Sequence, residues 1–483
     1  MQREVNQPMT STLKPDLCII GAGSAGLSIA AGAAQMGAKV VLIEAHKMGG
    51  DCLNTGCVPS KSLLAAAKVA KVAAAGGRLG VSTTGRTVDF AAVNAHVHAV
   101  IAAIAPHDSV ERFTGLGCTV IQDRARFTGP DAVTAGGTTI RARRFIIATG
   151  SRAAVPPIPG LADVAFFTNE NIFDNTTLPE HLMIIGGGPI GCELAQAHRR
   201  LGARVSVIDM ARIMPKDDPD AVDVVRRRLI AEGVALRENA QIARVEKSTG
   251  GVRVVLSNGA GETPIEGSHL LVAAGRKPNV EDLGLEIAGV GYTKKGITVD
   301  RCLRSSNRRV YAAGDVAGGY QFTHLAGYHA GIIIRNVLFR IPAKAEPSAL
   351  PWVTYTDPEL AQAGMNDADA RTAHGSALTV LRADFSGNDR AQAEGDTDGF
   401  LKVMVGKGGR VLGATIVGAH AGELILPWVL AISQKLKIGA MAGIIAPYPT
   451  LSEISKRAAG SYYTPSLFSP RTRAIVRFLR AFG

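Results

Sequence analysis

A sequence unit that occurs twice constrains the fold more than any other feature. In the first copy, residues 16–20 are an apolar strand, GAGSAG follows at residues 21–26, and a helical run leads to a second strand ending on Glu44. The second copy has GGGPIG at residues 186–191 and ends on Asp209. A lone G-x-G-x-x-G is weak evidence, but each copy has the strand, the helix and a distant acid. The pattern predicts two Rossmann-like dinucleotide-binding domains in an α/β chain.

The three glycines of each turn have separate physical roles. The first allows the tight turn, the second lets the backbone approach a pyrophosphate, and the third lets the helix pack on the strand. They are Gly21, Gly23 and Gly26 in the first copy and Gly186, Gly188 and Gly191 in the second. The helix N-terminus presents unpaired N–H groups to the phosphates. The alternative, a Gly-rich turn in an unrelated α/β sheet, is disfavoured by two complete copies.

The cysteine count and the net charge narrow the function. Six cysteines in 483 residues are too few for a secreted disulfide scaffold, so a close pair is more often catalytic or metal-binding than structural. The formal charge of +12 indicates an affinity for anions, which dinucleotides satisfy. We expect no nucleic-acid partner, because the sequence has neither a zinc-type cluster nor an RNA-binding aromatic signature. We expect no resident metal site.

The close pair is Cys52 and Cys57, within GGDCLNTGCVPSK at residues 49–61. On a regular helix, five residues correspond to about 7.5 Å of rise and about 140° of rotation. A disulfide needs Cα atoms about 4.4 to 6.8 Å apart. If the pair bridges, the segment is a loop or a distorted turn, and Gly56 supplies the freedom. The alternative, two inert buried thiols, is disfavoured by the adjacent glycines and Pro59.

The stretch around the two cysteines resembles the active site of the pyridine nucleotide–disulfide oxidoreductases, the class of dihydrolipoamide dehydrogenase, glutathione reductase and mercuric reductase. The likeness extends over nearly the whole chain and includes residues 148–150, 274–279, 311–315 and 356–359. It implies two Rossmann-like domains, for FAD and NAD(P), and a C-terminal α+β dimerisation domain. The implied protein is a homodimer.

The resemblance also assigns the cofactor contacts. The first Gly-rich unit with Glu44 holds FAD, and Asp315 contacts the ribityl chain of the flavin. The second unit holds the nicotinamide cofactor, with NADH expected because Asp209 meets the ribose 2′-hydroxyl, and NADPH as the alternative because Arg212 is close. The further cofactor-binding residues that we expect are Lys61, Thr149, Gly150, Gly275 and Arg276.

By the same resemblance, Cys57 faces the flavin and Cys52 is the interchange thiol that meets the acceptor. Lys61 and Glu193 match the ion pair that the family places beside the flavin, although a carboxylate in a first helical turn is also favoured by the helix dipole. Reduced nicotinamide gives hydride to the flavin, the flavin reduces the disulfide, and the Cys52 thiolate attacks an oxidised acceptor. Asp51 departs from the pattern, because a carboxylate beside Cys52 raises the pKa of that thiol unless something offsets it.

A second departure concerns the acceptor. The disulfide-reducing members carry His-Pro-Thr-x-x-Glu, whereas this chain has Tyr448-Pro449-Thr450 followed by Glu453. A phenol titrates near pH 10 and is a poor base at neutral pH. Tyrosine here resembles mercuric reductase, but no vicinal cysteine pair follows Cys302. We predict an FAD-dependent, mercuric-reductase-like NAD(P)H oxidoreductase with an unidentified acceptor. The alternatives are mercuric reductase itself, dihydrolipoamide dehydrogenase and a redox-sensing flavoprotein that binds partners.

Proline-rich segments mark the domain limits that we predict. The limits are 1–15 (disordered leader), 16–155 and 276–345 (FAD-binding domain in two parts), 156–275 (NAD(P)-binding domain), 346–470 (dimerisation domain) and 471–483 (basic amphipathic tail).

The tail and the leader bear on location. On a helix, one apolar stripe faces a basic one; the stripes are Ile475, Phe478, Leu479 and Phe482 against Arg473, Arg477 and Arg480. Such a helix can lie on an anionic membrane, or it can pack on its own dimer. The polar leader is not a signal peptide, and Lys68 and Lys71 interrupt the alanine-rich stretch, so we expect a cytoplasmic protein.

Overall fold

The computed structural model describes residues 11–83, 85, 87–257 and 261–482. Within these residues the strands, in chain order, are β1 (Thr12–Leu13), β2 (Leu17–Ile20), β3 (Val40–Glu44), β4 (Thr119–Gln122), β5 (Arg126–Gly129), β6 (Ala132–Ala135), β7 (Thr138–Ile140), β8 (Arg144–Ile147), β9 (Ser151–Ala153), β10 (His181–Ile185), β11 (Arg204–Ile208), β12 (Val234–Arg237), β13 (Gln241–Ser248), β14 (Gly251–Ser257), β15 (Glu262–Gly267), β16 (His269–Val272), β17 (Arg276–Pro278), β18 (Tyr292–Thr293), β19 (Gly296–Ile297), β20 (Val310–Ala312), β21 (Pro351–Thr354), β22 (Glu359–Gly364), β23 (Thr379–Asp384), β24 (Phe400–Val405) and β25 (Val411–Gly418).

Short 3-10 turns connect many of the elements. Over the same residues the α-helices are α1 (Ser24–Gln35), α2 (Gly50–Asn54), α3 (Cys57–Ala75), α4 (Phe90–Ile104), α5 (Val110–Gly115), α6 (Pro189–Leu201), α7 (Pro219–Ala231), α8 (Thr323–Ile334), α9 (Asp367–His374), α10 (Asp389–Glu394), α11 (Ala421–Leu424), α12 (Leu426–Ser433), α13 (Ile438–Ala442), α14 (Glu453–Ser461), α15 (Thr464–Leu467) and α16 (Pro470–Leu479).

The chain divides into two compact units. The first comprises residues 1–186, 200–203 and 242–346, and the second comprises residues 187–199, 204–241 and 347–483. The centre of the first unit is a five-stranded parallel sheet in the order β20-β8-β2-β3-β4. Strand β2 is apolar and buried throughout, and β3 and β8 are apolar and buried apart from the charged Glu44 at the end of β3 and the partly buried Arg144 at the start of β8, as expected for parallel strands covered on both faces.

A second sheet of the first unit, in the order β1-β7-β6-β5, corrects one sequence prediction. Thr12 and Leu13 pair in parallel with Thr139 and Ile140, so the end of the predicted leader is an ordered strand. The apolar side chain of Leu13 packs against a buried core, which explains the order. Residues 1–10 of the leader lie outside the described residues.

The second unit contains a five-stranded antiparallel sheet in the order β21-β22-β25-β24-β23. The strand-like runs at 401–405 and 411–417 are strands, as predicted, and all residues of β24 are buried. Trp428 of α12 is fully buried in this core and donates a hydrogen bond to Ser455 at 3.1 Å. The sheet with its helices forms the predicted α+β domain. In the same unit β11 and β12 pair in parallel, and α6 leads into β11.

One helical run in the described residues, Phe90–Gly115, is long and apolar enough to cross a membrane by length and composition alone. It is not a continuous α-helix, because α4 ends at Ile104 and a 3-10 turn containing Pro106 precedes α5. At 1.5 Å per residue, α4 rises about 22 Å. That length is short of the roughly 30 Å hydrocarbon core of a bilayer.

Candidate active site

The first Gly-rich turn has the backbone that a dinucleotide requires. Gly21 has φ +105°, and a Cβ there would lie 2.3 Å from the carbonyl oxygen of Ala148. Gly23 has space around it, since its nearest neighbour is the Cα of Gly50 at 3.8 Å. Helix α1 begins directly afterwards at Ser24 and has no side-chain cap on its first N–H groups. A tight turn, an open position and free helix N–H groups together fit a pyrophosphate.

The second turn repeats this arrangement. Gly186 has φ +113°, and a Cβ there would lie 2.4 Å from the carbonyl oxygen of Ala273. No atom lies within 4 Å of the position that a Cβ would take at Gly188. Helix α6 follows from Pro189. The two turns therefore offer the same kind of phosphate site.

The acids at the ends of the two units are held by backbone N–H groups near the turns. Glu44 accepts a hydrogen bond from the N–H of Ala22 at 2.6 Å and is nearly buried. Asp209 accepts from Gly187 at 2.6 Å and from Ala211 at 2.7 Å. These bonds fix both carboxylates beside their Gly-rich turns. Each carboxylate retains acceptor capacity for a ribose hydroxyl.

Arg212 is the cation because of which NADPH is kept as the alternative cofactor. Its guanidinium pairs with Asp223 at 3.3 Å. Both side chains are about half exposed, so the pair is a weak surface contact. The adjacent Met210 is 76% exposed and offers no charge. The surroundings of Asp209 therefore favour a free 2′-hydroxyl over a 2′-phosphate.

Asp315 lies in a polar network within the first unit. Ser151 donates a hydrogen bond to its carboxylate at 2.5 Å, and the guanidinium of Arg276 lies 3.8 Å away. Burial raises the pKa of Asp315, while Ser151 and Arg276 act in the opposite direction. Nearby, the Thr149 hydroxyl donates to the carbonyl of Asn279 at 2.7 Å. The predicted cofactor residues Thr149, Arg276 and Asp315 therefore lie in connected segments.

The expected distortion between the two cysteines is present. Helix α2 ends at Asn54 and α3 begins at Cys57, with Thr55 and Gly56 in non-helical conformations between them. Cys52 is half-buried and Cys57 is exposed, and both are free thiols. The Cys57 sulfur lies 3.6 Å from the hydroxyl oxygen of Thr323, the first residue of α8. The position of Cys57 at a helix N-terminus favours its thiolate.

The two thiols differ in acidity. A hydrogen bond from Cys52 lowers the pKa of Cys57 to about 6, and Thr323 and Lys61 act in the same direction against partial burial. The same hydrogen bond, together with burial, raises the pKa of Cys52 well above its ordinary value. The reduced pair therefore holds one thiolate, on Cys57, and one thiol, on Cys52.

The carboxylate of Asp51 has a cation and two hydrogen-bond donors as its own partners. It pairs with Arg276 at 3.1 Å and accepts hydrogen bonds from Thr55 at 2.8 Å and Asn169 at 3.1 Å. Asp51 is the smallest of the influences that raise the pKa of Cys52. Its main structural effect is to fix the residues around the break between α2 and α3.

The other predicted catalytic residues lie on different elements. Lys61 is in the second turn of α3, and its ammonium acts on Cys57 through space. Glu193 is buried on α6 and accepts a hydrogen bond from the backbone N–H of Tyr355 at 2.8 Å. The ion pair between Lys61 and Glu193 stays a prediction.

Tyr448 pairs with a carboxylate that the sequence did not point to. Its hydroxyl donates to Asp389 at 3.1 Å, and this hydrogen bond raises the pKa of Tyr448. Glu453, the acid of the same sequence motif, accepts a hydrogen bond from the backbone N–H of Thr450 at 3.4 Å. Tyr448 is 71% exposed on a single chain. Its position across from a partner's Cys52 stays a prediction.

Sequence reasoning missed four residues that contact the predicted ones. They are Ser151 beside Asp315, Asn169 beside Asp51, Thr323 beside Cys57 and Asp389 beside Tyr448. Only Ser151 carried a signal, because it follows directly on the 148–150 motif. The other three are polar residues without a distinguishing pattern in the sequence.

The fold and the site define a protein with two dinucleotide-binding turns and one asymmetric dithiol. The pyridine nucleotide-disulphide oxidoreductase family matches residues 15–330, and its dimerisation domain matches residues 350–459. The chain belongs to this family. It is therefore an FAD-dependent oxidoreductase that uses NAD(P)H, and the dimerisation domain indicates a homodimer.

Relatives and solved structures agree with this family. Mercuric reductase of Bacillus cereus is 34% identical over 446 residues, which is 92% of this chain and 70% of that protein. Dihydrolipoyl dehydrogenase of Geobacillus stearothermophilus is 32% identical over 461 residues, or 92% of this chain and 96% of that protein. The Cu(II) complex of the HOCl-induced flavoprotein disulfide reductase RclA from Escherichia coli has a TM-score of 0.83 and 26% identity, covering 93% of this chain and 99% of that one.

Proposed function

We propose that this chain is a cytoplasmic, NADH-dependent reductase whose Cys52–Cys57 dithiol delivers electrons to a thiophilic metal cation. The observation that carries the proposal is the geometry of the dithiol: Cys52 in α2 and Cys57 at the start of α3 flank the break between the two helices, and the Cys57 sulfur lies 3.6 Å from the hydroxyl oxygen of Thr323. Bound FAD would supply the electron-transfer chemistry between the nicotinamide and the Cys52–Cys57 disulfide. The chain's own residues bind the cofactors and control the protons on sulfur.

The residues around the two turns fit the cofactors. The N–H groups at the start of α1 and the open position at Gly23 would hold the FAD pyrophosphate, with Glu44 on the ribose and Asp315 on the ribityl chain. The start of α6 and Asp209 would hold the adenosine half of NADH. We propose Cys57 as the thiol next to the flavin, because its thiolate is stabilised by the helix N-terminus and by Lys61.

The two classes of electron acceptor, a metal cation and a disulfide, differ in the acid–base groups that their reduction needs. Reduction of a disulfide needs a base to activate the attacking thiol and an acid to protonate the leaving thiolate. Tyr448 has a pKa raised above its usual value by Asp389, so it is a weaker acid than a free phenol and is protonated at neutral pH. A soft metal cation needs only thiolates as ligands and displaces their protons itself. The proposal is supported by the mercuric reductase relatives and the Cu(II) complex of RclA.

Steady-state oxidation of NADH with a panel of acceptors tests the proposal. The panel contains Hg(II) with excess thiol and Cu(II) without added thiol, together with lipoamide, glutathione disulfide and dioxygen. We expect turnover with at least one metal cation to exceed turnover with either disulfide, and to be lost in Cys52→Ala. Faster turnover with lipoamide would identify a disulfide reductase instead. Full activity in Cys52→Ala would overturn the role of the dithiol.

A further inference from the structure

The last helix of the chain has an apolar face that no other part of the described chain covers. No residue of α16 or of the following turn, Arg480–Phe482, is buried. Along the stripe predicted from the sequence, Ile475 is 49% exposed and Phe482 is 73% exposed. Phe478 and Phe482 contact each other edge to face at 5.0 Å between ring centroids. This face is apolar from Ile475 to Phe482, over about two turns.

The helix also lies beyond the segment that the dimerisation domain of the family matches. That match ends at residue 459, eleven residues before α16 begins. Leu467 and Phe468, in the connecting segment, are themselves more than half exposed. The apolar surface therefore lies outside the residues that the two family domains match.

The opposite face of the helix carries charge of one sign. Arg473, Arg477 and Arg480 lie about 140° to 200° around the helix from Ile475, at 100° per residue. After Glu453 the sequence has six basic residues and no acidic residue. A basic face behind an apolar face with aromatic side chains is the pattern of a helix that lies in a membrane interface.

Charge favours a lipid surface over the same helix of a second copy as the occupant. If α16 paired with itself across a two-fold axis, the same arginines of both copies would come close together without a compensating acid. An anionic lipid surface supplies the opposite charge to all of them, and the acyl region accepts the apolar stripe. We propose that residues 470–482 are a docking helix for an anionic membrane surface, which goes beyond the reductase activity proposed above.

Vesicle co-sedimentation tests this with the full-length FAD-loaded protein. We expect partition onto phosphatidylcholine vesicles containing 30% phosphatidylserine, little partition onto pure phosphatidylcholine, and release at high salt. Phe478→Ser/Phe482→Ser removes half of the apolar stripe and should abolish binding. Arg473→Gln/Arg477→Gln/Arg480→Gln should weaken it, by roughly fivefold for each arginine near the surface. Arg124→Gln/Arg308→Gln/Lys407→Gln removes the same charge elsewhere and should bind as wild type.

Two outcomes would overturn the proposal. One is equal partition of the wild type and the Phe478→Ser/Phe482→Ser variant onto the anionic vesicles. The other is that the wild type does not bind vesicles and this variant elutes as a monomer in size-exclusion chromatography. That result would assign the apolar face to a contact with the partner subunit. NADH oxidation with the best acceptor is measured in parallel. This activity should be unchanged in all three variants. A failure of the reductase proposal is therefore distinguishable from a failure of the membrane proposal.

Discussion

Three groups favour a thiolate on Cys57 at the residue scale: the Cys52 thiol, the Thr323 hydroxyl and the Lys61 ammonium. The Cys52 hydrogen bond is the largest influence, and desolvation and the Asp51 carboxylate oppose the three. Because the Cys52 thiol donates this hydrogen bond and must keep its proton to do so, its own pKa rises. This one hydrogen bond therefore favours a thiolate on Cys57 and keeps Cys52 protonated until an electron acceptor binds.

Alkylation of Cys57 in the reduced protein tests this coupling. The thiolate should be present above about pH 6 and lost below it, so the rate with iodoacetamide should rise through a midpoint near pH 6. In Cys52→Ala the main stabilising bond is absent, and the midpoint should move up toward the ordinary thiol value of about 8.5. Cys52→Ser keeps a donor and should stay closer to wild type. The rate is followed on the Cys57 peptide by mass spectrometry, and a midpoint that does not differ between the two variants contradicts the coupling.

Asp209 carries a second residue-scale prediction. Its carboxylate is fixed by two backbone N–H groups, and Arg212 is engaged by Asp223. We expect kcat/KM for NADH to exceed that for NADPH at least tenfold. Asp209→Asn keeps an acceptor for the backbone but loses the charge. Since a hydrogen bond to a charged group contributes about 1.5–3 kcal/mol, this variant should lose roughly tenfold or more with NADH.

Steady-state assays with both nucleotides check this prediction, and Arg212→Gln is the control. If Arg212 recognised a 2′-phosphate, Arg212→Gln would lower kcat/KM for NADPH. We expect it to leave both nucleotides nearly unchanged. A preference of the wild type for NADPH by an order of magnitude would refute the assignment of Asp209.

At the scale of elements, the break between α2 and α3 determines where the two sulfurs lie. A Cβ at Gly56 would come 2.9 Å from the backbone oxygen of Asp51 and 3.2 Å from the Cα of Cys52. Both neighbouring atoms are backbone, so α2 must move away from α3 in Gly56→Ala. We expect slower formation of the Cys52–Cys57 disulfide, measured by thiol titration after oxidation. Gly77→Ala, where no atom lies within 4 Å, should match wild type.

A buried lysine connects two elements of the second unit. Lys402 of β24 pairs with Asp218 at 2.7 Å and with Asp220 at 2.9 Å, at the N-terminus of α7. The side chains of Lys402 and Asp218 are 6% and 0% exposed. Removing one partner of a buried pair costs about 3–5 kcal/mol, because the other charge is left uncompensated. Lys402→Met should therefore lower the melting temperature by several degrees.

The double variant distinguishes the lost charge partner from lost packing. Asn at residue 218 still caps α7 but carries no charge. We expect Lys402→Met/Asp218→Asn to melt above Lys402→Met alone. Lys407→Met, on an exposed side chain, is the control and should be near wild type. A double variant less stable than the single one would show that the buried charge of Asp218 was not the cause.

The sequence predicted the elements of the site more completely than their contacts. Both strand–turn–helix units and the distortion between Cys52 and Cys57 follow from local patterns of glycine and apolar residues. Thr323 is 266 residues from Cys57, and Asp389 is 59 residues from Tyr448. Such partners meet only through the tertiary fold, and a single Thr or Asp has no spacing that marks it. The strand at Thr12–Leu13 was missed because two residues are too few to show a periodicity.

At the scale of the whole molecule, the dimer decides what Tyr448 does. The residue is largely exposed on one chain, in a segment held to α10 by the Tyr448–Asp389 and Asn388–Thr450 hydrogen bonds. An exposed side chain in the domain that the family uses for dimerisation is suited to a contact with the second subunit. We expect Tyr448 of one subunit to face Cys52 of the other.

Replacing the phenol by an imidazole tests the chemistry of this position. In Tyr448→His the ring can donate to Asp389, as the phenol does, and it titrates near neutral pH. A positioned acid–base group typically contributes about 10²- to 10⁴-fold. We therefore expect Tyr448→His to raise NADH-dependent reduction of lipoamide about tenfold or more. Tyr448→Phe should not raise it, because a phenyl ring carries no proton.

A heterodimer then shows which subunit supplies the residue. One chain carries Cys52→Ala with Tyr448→His, the other chain is wild type, and the two are separated by different affinity tags. If Tyr448 acts on the partner subunit, the wild-type dithiol meets the new histidine, and lipoamide reduction rises above that of either homodimer. If it acts within its own chain, the histidine faces a site without Cys52, and the heterodimer shows no gain. The second result would remove Tyr448 from the partner's active site, while the dithiol assignment would stand on the alkylation experiment.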